Sequence, residues 1–219
     1  MENMIDWKIP IGDLFYLKCK NDGILQEMGQ FEFSVASRFI KNFRNVIDIG
    51  AHIGETAYRY SKYFKRVHAF EPVYGCELRQ NIGNIENIDI YDFAVSDKEE
   101  EKIMIRSNKN SGATVIKTKQ NSKELSSSRF SKEKINVKCV PIDKFKFKNI
   151  DFIKIDTEGY VLPVIQGMKN TLKNSNFLVM QIEMNHMTHN KQECIDYLKD
   201  LNFIQFDKTD VDYYFSKST

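Results

Sequence analysis

Val46-Ile-Asp48-Ile-Gly50-Ala51-His52-Ile-Gly54-Glu-Thr reads as a buried strand that runs into a helix through a glycine turn. The apolar run is short and meets glycine at its end, as parallel strands covered on both faces do. Gly50 and Gly54 lack a Cβ, so the backbone between strand and helix can approach a ligand closely. There is no third glycine, so the three-glycine dinucleotide pattern is not met and the ligand need not carry a pyrophosphate. Asp48 is placed to order the loop or to meet a cationic group, while the start of the helix offers donors to a carboxylate.

Outward from this segment, strands and helices alternate. Residues 54–64 continue as a helix, residues 66–72 (Arg-Val-His-Ala-Phe-Glu-Pro) form a second strand, and residues 88–95 form a third after a helix over 76–85. Strand, helix, strand, helix, strand predicts a parallel sheet. The winding resumes with a strand over 151–156, a helix over 162–172, a strand over 177–183 and a helix over 192–201. Residues 203–206 and 211–215 then have the spacing of a terminal antiparallel hairpin. Ahead of this core, residues 1–44 predict a helical cap or lid, with residues 31–40 as a helix, and residues 45–219 form the main domain. Within that domain, residues 97–148 are a polar, basic insertion in which 102–106 and 136–142 alternate like strands and 117–134 read as a mobile loop.

With 219 residues and 42% hydrophobic content the chain can bury one substantial core. A net charge of +2 implies neither a nucleic-acid coat nor an acidic tail. The basic residues are concentrated: residues 117–148 hold ten Lys or Arg against Glu124, Glu133 and Asp143. Cys19, Cys76, Cys139 and Cys194 form no C-x-x-C pair, which argues against a zinc knuckle and for reduced thiols. No cationic leader opens the sequence, and no apolar run reaches the roughly 18 residues of a membrane span, so a cytoplasmic protein is expected.

Acidic residues stand where open parallel sheets bind ligands, at the carboxyl ends of strands. Glu71 ends the second strand, a position from which a carboxylate can hydrogen-bond both hydroxyls of a ribose. Asp156 and Glu158 follow the fourth strand; Glu183 and Asn185 follow the fifth. The apolar runs before them predict that these four emerge together, as the candidate catalytic cluster. Capping of the next helix is the plainer reading of Asp156 and Glu158. His186 and His189 read as solvated loop residues, and Lys154, inside an apolar strand, must reach the edge or pair with an acid.

Taken in order, Asp48-Ile-Gly-Ala-His-Ile-Gly, Ala69-Phe-Glu-Pro, Ala94-Val-Ser-Asp, Val140-Pro-Ile-Asp and Ile153-Lys-Ile-Asp-Thr-Glu-Gly resemble the FkbM-family methyltransferases over about residues 31–185. The Lys-Ile-Asp-x-Glu-Gly block is the most specific of them. The resemblance implies a class I methyltransferase, Rossmann-like and α/β, with a mostly parallel sheet and helices on both faces. It implies S-adenosylmethionine as cofactor and O-methylation, commonly of sugar or natural-product hydroxyls. Asp48, Gly50, Gly54 and Glu71 match the family's cofactor positions, with Ala51 and His52 in the same loop; His52 stands where the family usually has Asn. The expected partner is a small-molecule or glycan acceptor, with or without a phosphate. A nucleic-acid methyltransferase is the rival served by the basic segment, and a catalytically silent adenosylmethionine-binding module is a second rival. Oxygen donors at Asp156, Glu183 and Asn185 would suit magnesium, but a metal-free site is the preferred reading.

Overall fold

The computed structural model describes residues 5–218. In chain order the helices and strands are α1 (Leu14–Asn21), α2 (Gln30–Ser37), β1 (Asn45–Ile49), α3 (Glu55–Ser61), β2 (Arg66–Phe70), α4 (Gly75–Ile82), β3 (Ile88–Tyr91), β4 (Ala94–Val95), β5 (Glu100–Ser107), β6 (Val115–Ile116), β7 (Phe130–Val140), β8 (Ile150–Ile155), α5 (Val161–Gln166), α6 (Lys169–Asn174), β9 (Phe177–Glu183), α7 (Lys191–Asp200), β10 (Ile204–Lys208) and β11 (Asp212–Ser218). Seven strands form one sheet in the order β10-β11-β9-β8-β1-β2-β3. The pairs from β9 through β3 are parallel; β11 runs against both β9 and β10. This is the Rossmann-like α/β sheet expected, closed by the antiparallel C-terminal hairpin.

Alternation along the strands divides the core. Val46, Val67, Ala69 and Phe152 face α1, α2, α3 and α4, whereas Ile47, Ile49, Ile153, Ile155, Met180 and Ile182 face α5, α6 and α7. Because side chains alternate with period two, Asp48 and Lys154, paired across β1 and β8, share the first face, and Asp156 follows on it. The chain leaves β1 toward β2 on one side and later fills β8 on the other, so the sheet has its topological switch between β1 and β8.

Residues 5–40 supply Trp7, Tyr16, Cys19, Leu25, Phe33, Val35 and Ala36 to the first face of this core. Phe33 meets Tyr60, Phe64 and Phe152, with ring centroids 5.2, 6.3 and 5.8 Å away. The N-terminal segment therefore shares the core of the main sheet. The insertion builds a second sheet, β4-β7-β5-β6, on the antiparallel pairing of β5 with β7.

Three sequence expectations are corrected. Residues 88–95 are not one strand: β3 stops at Tyr91 opposite Phe70, and β4 pairs with Cys139 and Val140 in the second sheet. The helix over 162–172 is two short helices, α5 ending before Gly167 and α6 starting at Lys169, and residue 167 must be glycine because the Ser96 carbonyl oxygen lies 1.9 Å from where a Cβ would stand. The segment 117–134 is not a plain loop; it contains a short 3-10 turn, Glu124–Ser126, and the start of β7. Its strand pattern was hidden because Lys132, Glu133 and Lys134 are all solvent-exposed.

Phe152→Ala is expected to destabilise the protein by about 3–5 kcal/mol, the range for emptying a packed aromatic site. Because Phe33 packs on that ring, proteolysis within residues 5–44 is expected to accelerate in parallel with the loss seen in urea denaturation; unchanged proteolysis would show the N-terminal segment to be docked independently of the sheet.

Candidate active site

A cavity of about 200 Å³ opens outside the carboxyl ends of β1, β2, β8 and β9, at the switch point. The second sheet gives it an apolar wall, with Phe93, Val95, Met104 and Ile116, which suits a flat base. Gly50, His52, Glu55 and Glu71 line the side facing the glycine loop, and Asp156, Glu158 and Glu183 line the far side.

The loop conformation follows from its glycines. Gly50 has φ +85°, and a Cβ there would stand 1.8 Å from the Asp156 carbonyl oxygen, so β8 comes against the turn as closely as a backbone can. His52 also takes a left-handed φ of 49°. Glu71 locks this turn: its Oε2 accepts from the His52 amide at 3.1 Å, and its Oε1 accepts from the amides of Val73 and Tyr74 at 2.6 and 2.9 Å. Burial raises the Glu71 carboxyl to about 7. Oε1 thereby has both lone pairs occupied, and Oε2 retains acceptor capacity for a ribose hydroxyl.

Behind the loop lies Asp48, fully buried and away from the cavity. It accepts from Thr56 Oγ1 at 2.6 Å, and the Lys154 ammonium stands 4.0 Å from its other oxygen. Burial raises its carboxyl, and Lys154 opposes the rise. Of the two roles open to Asp48 in the sequence, this geometry corresponds to ordering the loop. Ala51 and Gly54 likewise stand behind the cavity wall. A Cβ at Gly54 would meet Leu78 and Ile82 at 2.8 and 2.7 Å, so that glycine serves the packing of α3 on α4.

The four residues expected at the strand ends do come together. Lys154 Nζ donates to Asp156 Oδ2 at 2.9 Å, and Asn185 Nδ2 donates to Glu158 Oε2 at 2.8 Å and Glu183 Oε1 at 2.7 Å. Asn185 itself does not line the cavity; it holds two residues that do. Neither acid caps α5, whose start lacks a side-chain cap. Their titration separates them. Burial works to raise Asp156, but the adjacent Lys154 ammonium overrides it and holds this carboxyl below its ordinary range. The negative charge of Asp156, with burial and Glu158 adding, pushes Glu183 up to about 9. Burial, then Asp156, bring Glu158 to about 7. Asp156 is thus the carboxyl favoured in its charged form, Glu183 the one pushed furthest toward its protonated form, and Glu158 lies between them.

The sequence reading did not reach Tyr16, Glu55, Ser111, Thr114 or Tyr74, all in the cavity wall. Glu55 lies inside the glycine motif, and its signal is an acid in the first turn facing a ligand loop. Tyr16 and Ser111 carry no local signal, because distant segments bring them there. His186 is exposed, and His189 lies 3.9 Å from Glu124, outside the cavity. The basic stretch is split between the two ends of the sheet. Lys146 and Lys148 precede β8 at its amino end, opposite the cavity, and Lys144 pairs with Glu99 at 2.7 Å.

The family model of the methyltransferase FkbM domain matches residues 48–205, more than half of the chain. The chain belongs to this family of methyltransferases. Its cofactor is S-adenosylmethionine, and the cavity has the chemistry to fit it, with an apolar wall that suits a base and several acidic groups that suit hydroxyl and ammonium donors. Among solved structures, the FkbM methyltransferase of Methylobacillus flagellatus is similar at 15% identity with a TM-score of 0.52, covering 79% of this chain and 43% of that one. The methyltransferase thus spans less than half the length of that protein. A Streptococcus mutans protein crystallised in complex with SAH is similar at 11% identity with a TM-score of 0.51, covering 85% and 94% of the two chains. At such identities the likeness is one of fold. No curated protein matches the chain.

Lys154→Met keeps the side-chain length but leaves Asp48 buried without its cation, and is expected to cost about 3–5 kcal/mol in urea denaturation. Adding Asp48→Asn is expected to recover part of that loss; strictly additive losses would show that the two groups do not interact.

Proposed function

We propose that this methyltransferase acts on a hydroxyl of a sugar or glycan-type acceptor, with Glu158 as the group that takes the hydroxyl proton. The observation that carries this reading is the division of labour among three converging carboxylates. Asp156 is committed to Lys154 and is a weak base, Glu183 already holds a proton, and Glu158 alone of the three titrates near neutrality. Bound S-adenosylmethionine supplies an electrophilic methyl group on a sulfonium. With the cofactor bound, Asp156 and Glu183 would orient the acceptor oxygen toward that methyl group, and Glu158 would take the proton the oxygen gives up. A cluster made of acceptors suits a substrate made of hydroxyl donors and disfavours a phosphate at the reacting position.

Residues 5–44 act in this reading as a cap over the cofactor, residues 45–219 as the catalytic domain and residues 97–148 as its acceptor-side insertion. Among the described residues no helix is long and apolar enough to cross a membrane, which agrees with a cytoplasmic enzyme. A nucleic-acid acceptor is supported only by Lys117, Lys119, Lys123 and Arg129, since the remaining lysines are divided between β7 and the far end of the sheet. A divalent cation would find carboxylate oxygens of Asp156, Glu158 and Glu183 within 4.8 Å of one another. Lys154 and Asn185 already give those carboxylates a positive charge and donors, so the site works without a metal.

Incubation with labelled S-adenosylmethionine against panels of glycans, nucleotide sugars and capped RNA is expected to label the carbohydrate pools. Label confined to RNA, with strong salt dependence, would overturn the acceptor class. Activity is expected to survive exhaustive EDTA treatment; loss restored by magnesium would refute the metal-free site.

A base must be deprotonated to work, so at saturating cofactor kcat/KM for the acceptor is expected to rise with pH through about 7 and level off above it. Glu158→Gln is expected to remove that limb and most of the rate, and Asp156→Asn to lower kcat far more than cofactor affinity. A limb that persists in the Glu158 variant would assign the proton elsewhere.

A further inference from the structure

Asp13, which caps α1, reaches into the cavity wall. Its Oδ1 accepts from the Tyr16 amide at 2.8 Å, and its Oδ2 accepts from both the amide of Ser111, at 2.7 Å, and the Ser111 hydroxyl. The ring Nε2 of His52 lies 2.6 Å from that same hydroxyl oxygen. A serine hydroxyl has one proton, and here the carboxylate takes it, so the hydroxyl oxygen can only accept from His52. This fixes the tautomer: Nε2 carries the hydrogen and Nδ1 is a bare acceptor. Nδ1 has no hydrogen-bond partner in the protein and is buried. The ring stays neutral, because burial lowers its pKa to about 4.

A second orphan stands beside it. Glu55 Oε1 accepts from the Tyr16 hydroxyl at 3.0 Å, and the Tyr16 ring lies against the His52 ring, 4.4 Å between centroids. The other carboxylate oxygen, Oε2, is buried without a partner. Two buried acceptors on one wall of the cavity with no donor between them are costly unless a ligand supplies donors. The cofactor has one group of that kind, the ammonium of its methionine end, with three donors and a positive charge. Among the described carboxylates that line the cavity, Glu55 alone has a buried oxygen without a hydrogen-bond partner.

We propose that Glu55 and His52 receive the ammonium group of the cofactor's methionine end, and that the N-terminal segment, through Asp13 and Tyr16, orients both. This rests on the assignment of the cavity to S-adenosylmethionine. It gives His52 a role: held by Ser111, the ring presents a lone pair where the ligand is cationic. It also makes α1 part of the cofactor site within the cap that covers it.

The test compares two ligands by calorimetry. S-adenosylhomocysteine carries the amino-acid end; 5′-methylthioadenosine has the same nucleoside and sulfur but lacks it. Glu55→Gln is expected to weaken S-adenosylhomocysteine roughly ten- to hundredfold, the range for a hydrogen bond to a charged group, and to leave 5′-methylthioadenosine unchanged. Equal loss of both ligands, or loss of neither, would overturn the proposal. Glu71→Ala is the control for the underlying assignment: it is expected to weaken both ligands, and if it weakens neither, the ribose position is wrong whatever Glu55 does. A measurement on the unaltered protein stands apart from any folding defect of the variants. With histidine labelled in nitrogen-15, His52 is expected to show a pyrrole-type signal at Nε2 and a pyridine-type signal at Nδ1. The Nδ1 signal is expected to move on addition of S-adenosylhomocysteine and not of 5′-methylthioadenosine. The opposite tautomer, or the same response to both ligands, would refute the role of His52.

Discussion

The ammonium of Lys154 is the pivot of this structure. It sits on the central strand β8, paired in register with Asp48 on β1 and two residues ahead of Asp156, so one buried charge joins the glycine loop to the acid cluster. Taking an ammonium out of water is costly, and two carboxylates on the same sheet face offset that cost. Its consequence for chemistry is an ordering of acidities. With Asp156 held ionised, its charge keeps the neighbouring Glu183 protonated and leaves Glu158 near the midpoint of its titration. A neutral residue at 154 would remove the cause of that ordering along with the loop's anchor.

The backbone contributes a constraint of its own. Gly50 brings the turn after β1 against the carbonyl of Asp156, so the cofactor loop and the catalytic strand end cannot move apart independently. Glu71 ties the same turn, through the His52 amide, to the segment after β2, whose Val73 and Tyr74 amides it also accepts from. A site built this way is rigid where groups must be aligned, and its adaptable parts belong to the insertion and the N-terminal segment that close over it.

How much of this could be read from residues alone depended on distance along the chain. The parallel strands announced themselves by short apolar runs ending in glycine or acid, and Asp156, Glu158, Glu183 and Asn185 were legible because each follows such a run. The pairing of Lys154 could be posed, as a buried amine in need of an acid, but the partner on β1 required the register. Tyr16, Asp13 and Ser111 were invisible: 98 residues separate Asp13 from the serine it binds, and no periodicity links them. The need for glycine at 167 was missed for the same reason, since it arises from a carbonyl at Ser96. The lysine-rich segment misled in the opposite direction, because its charges look clustered in sequence and the fold separates them.

The place of β11 bears on how the chain reaches this state. It lies between β9 and β10 and runs against both, so during synthesis β9 has a partner on one side only until residues 212–218 leave the ribosome. The waiting edge, Phe177–Glu183, is almost wholly apolar. An unpaired apolar edge is a template for association between nascent chains. β11 contributes no residue to the cavity wall, yet the interval before it emerges sets how long the newborn protein stays adhesive.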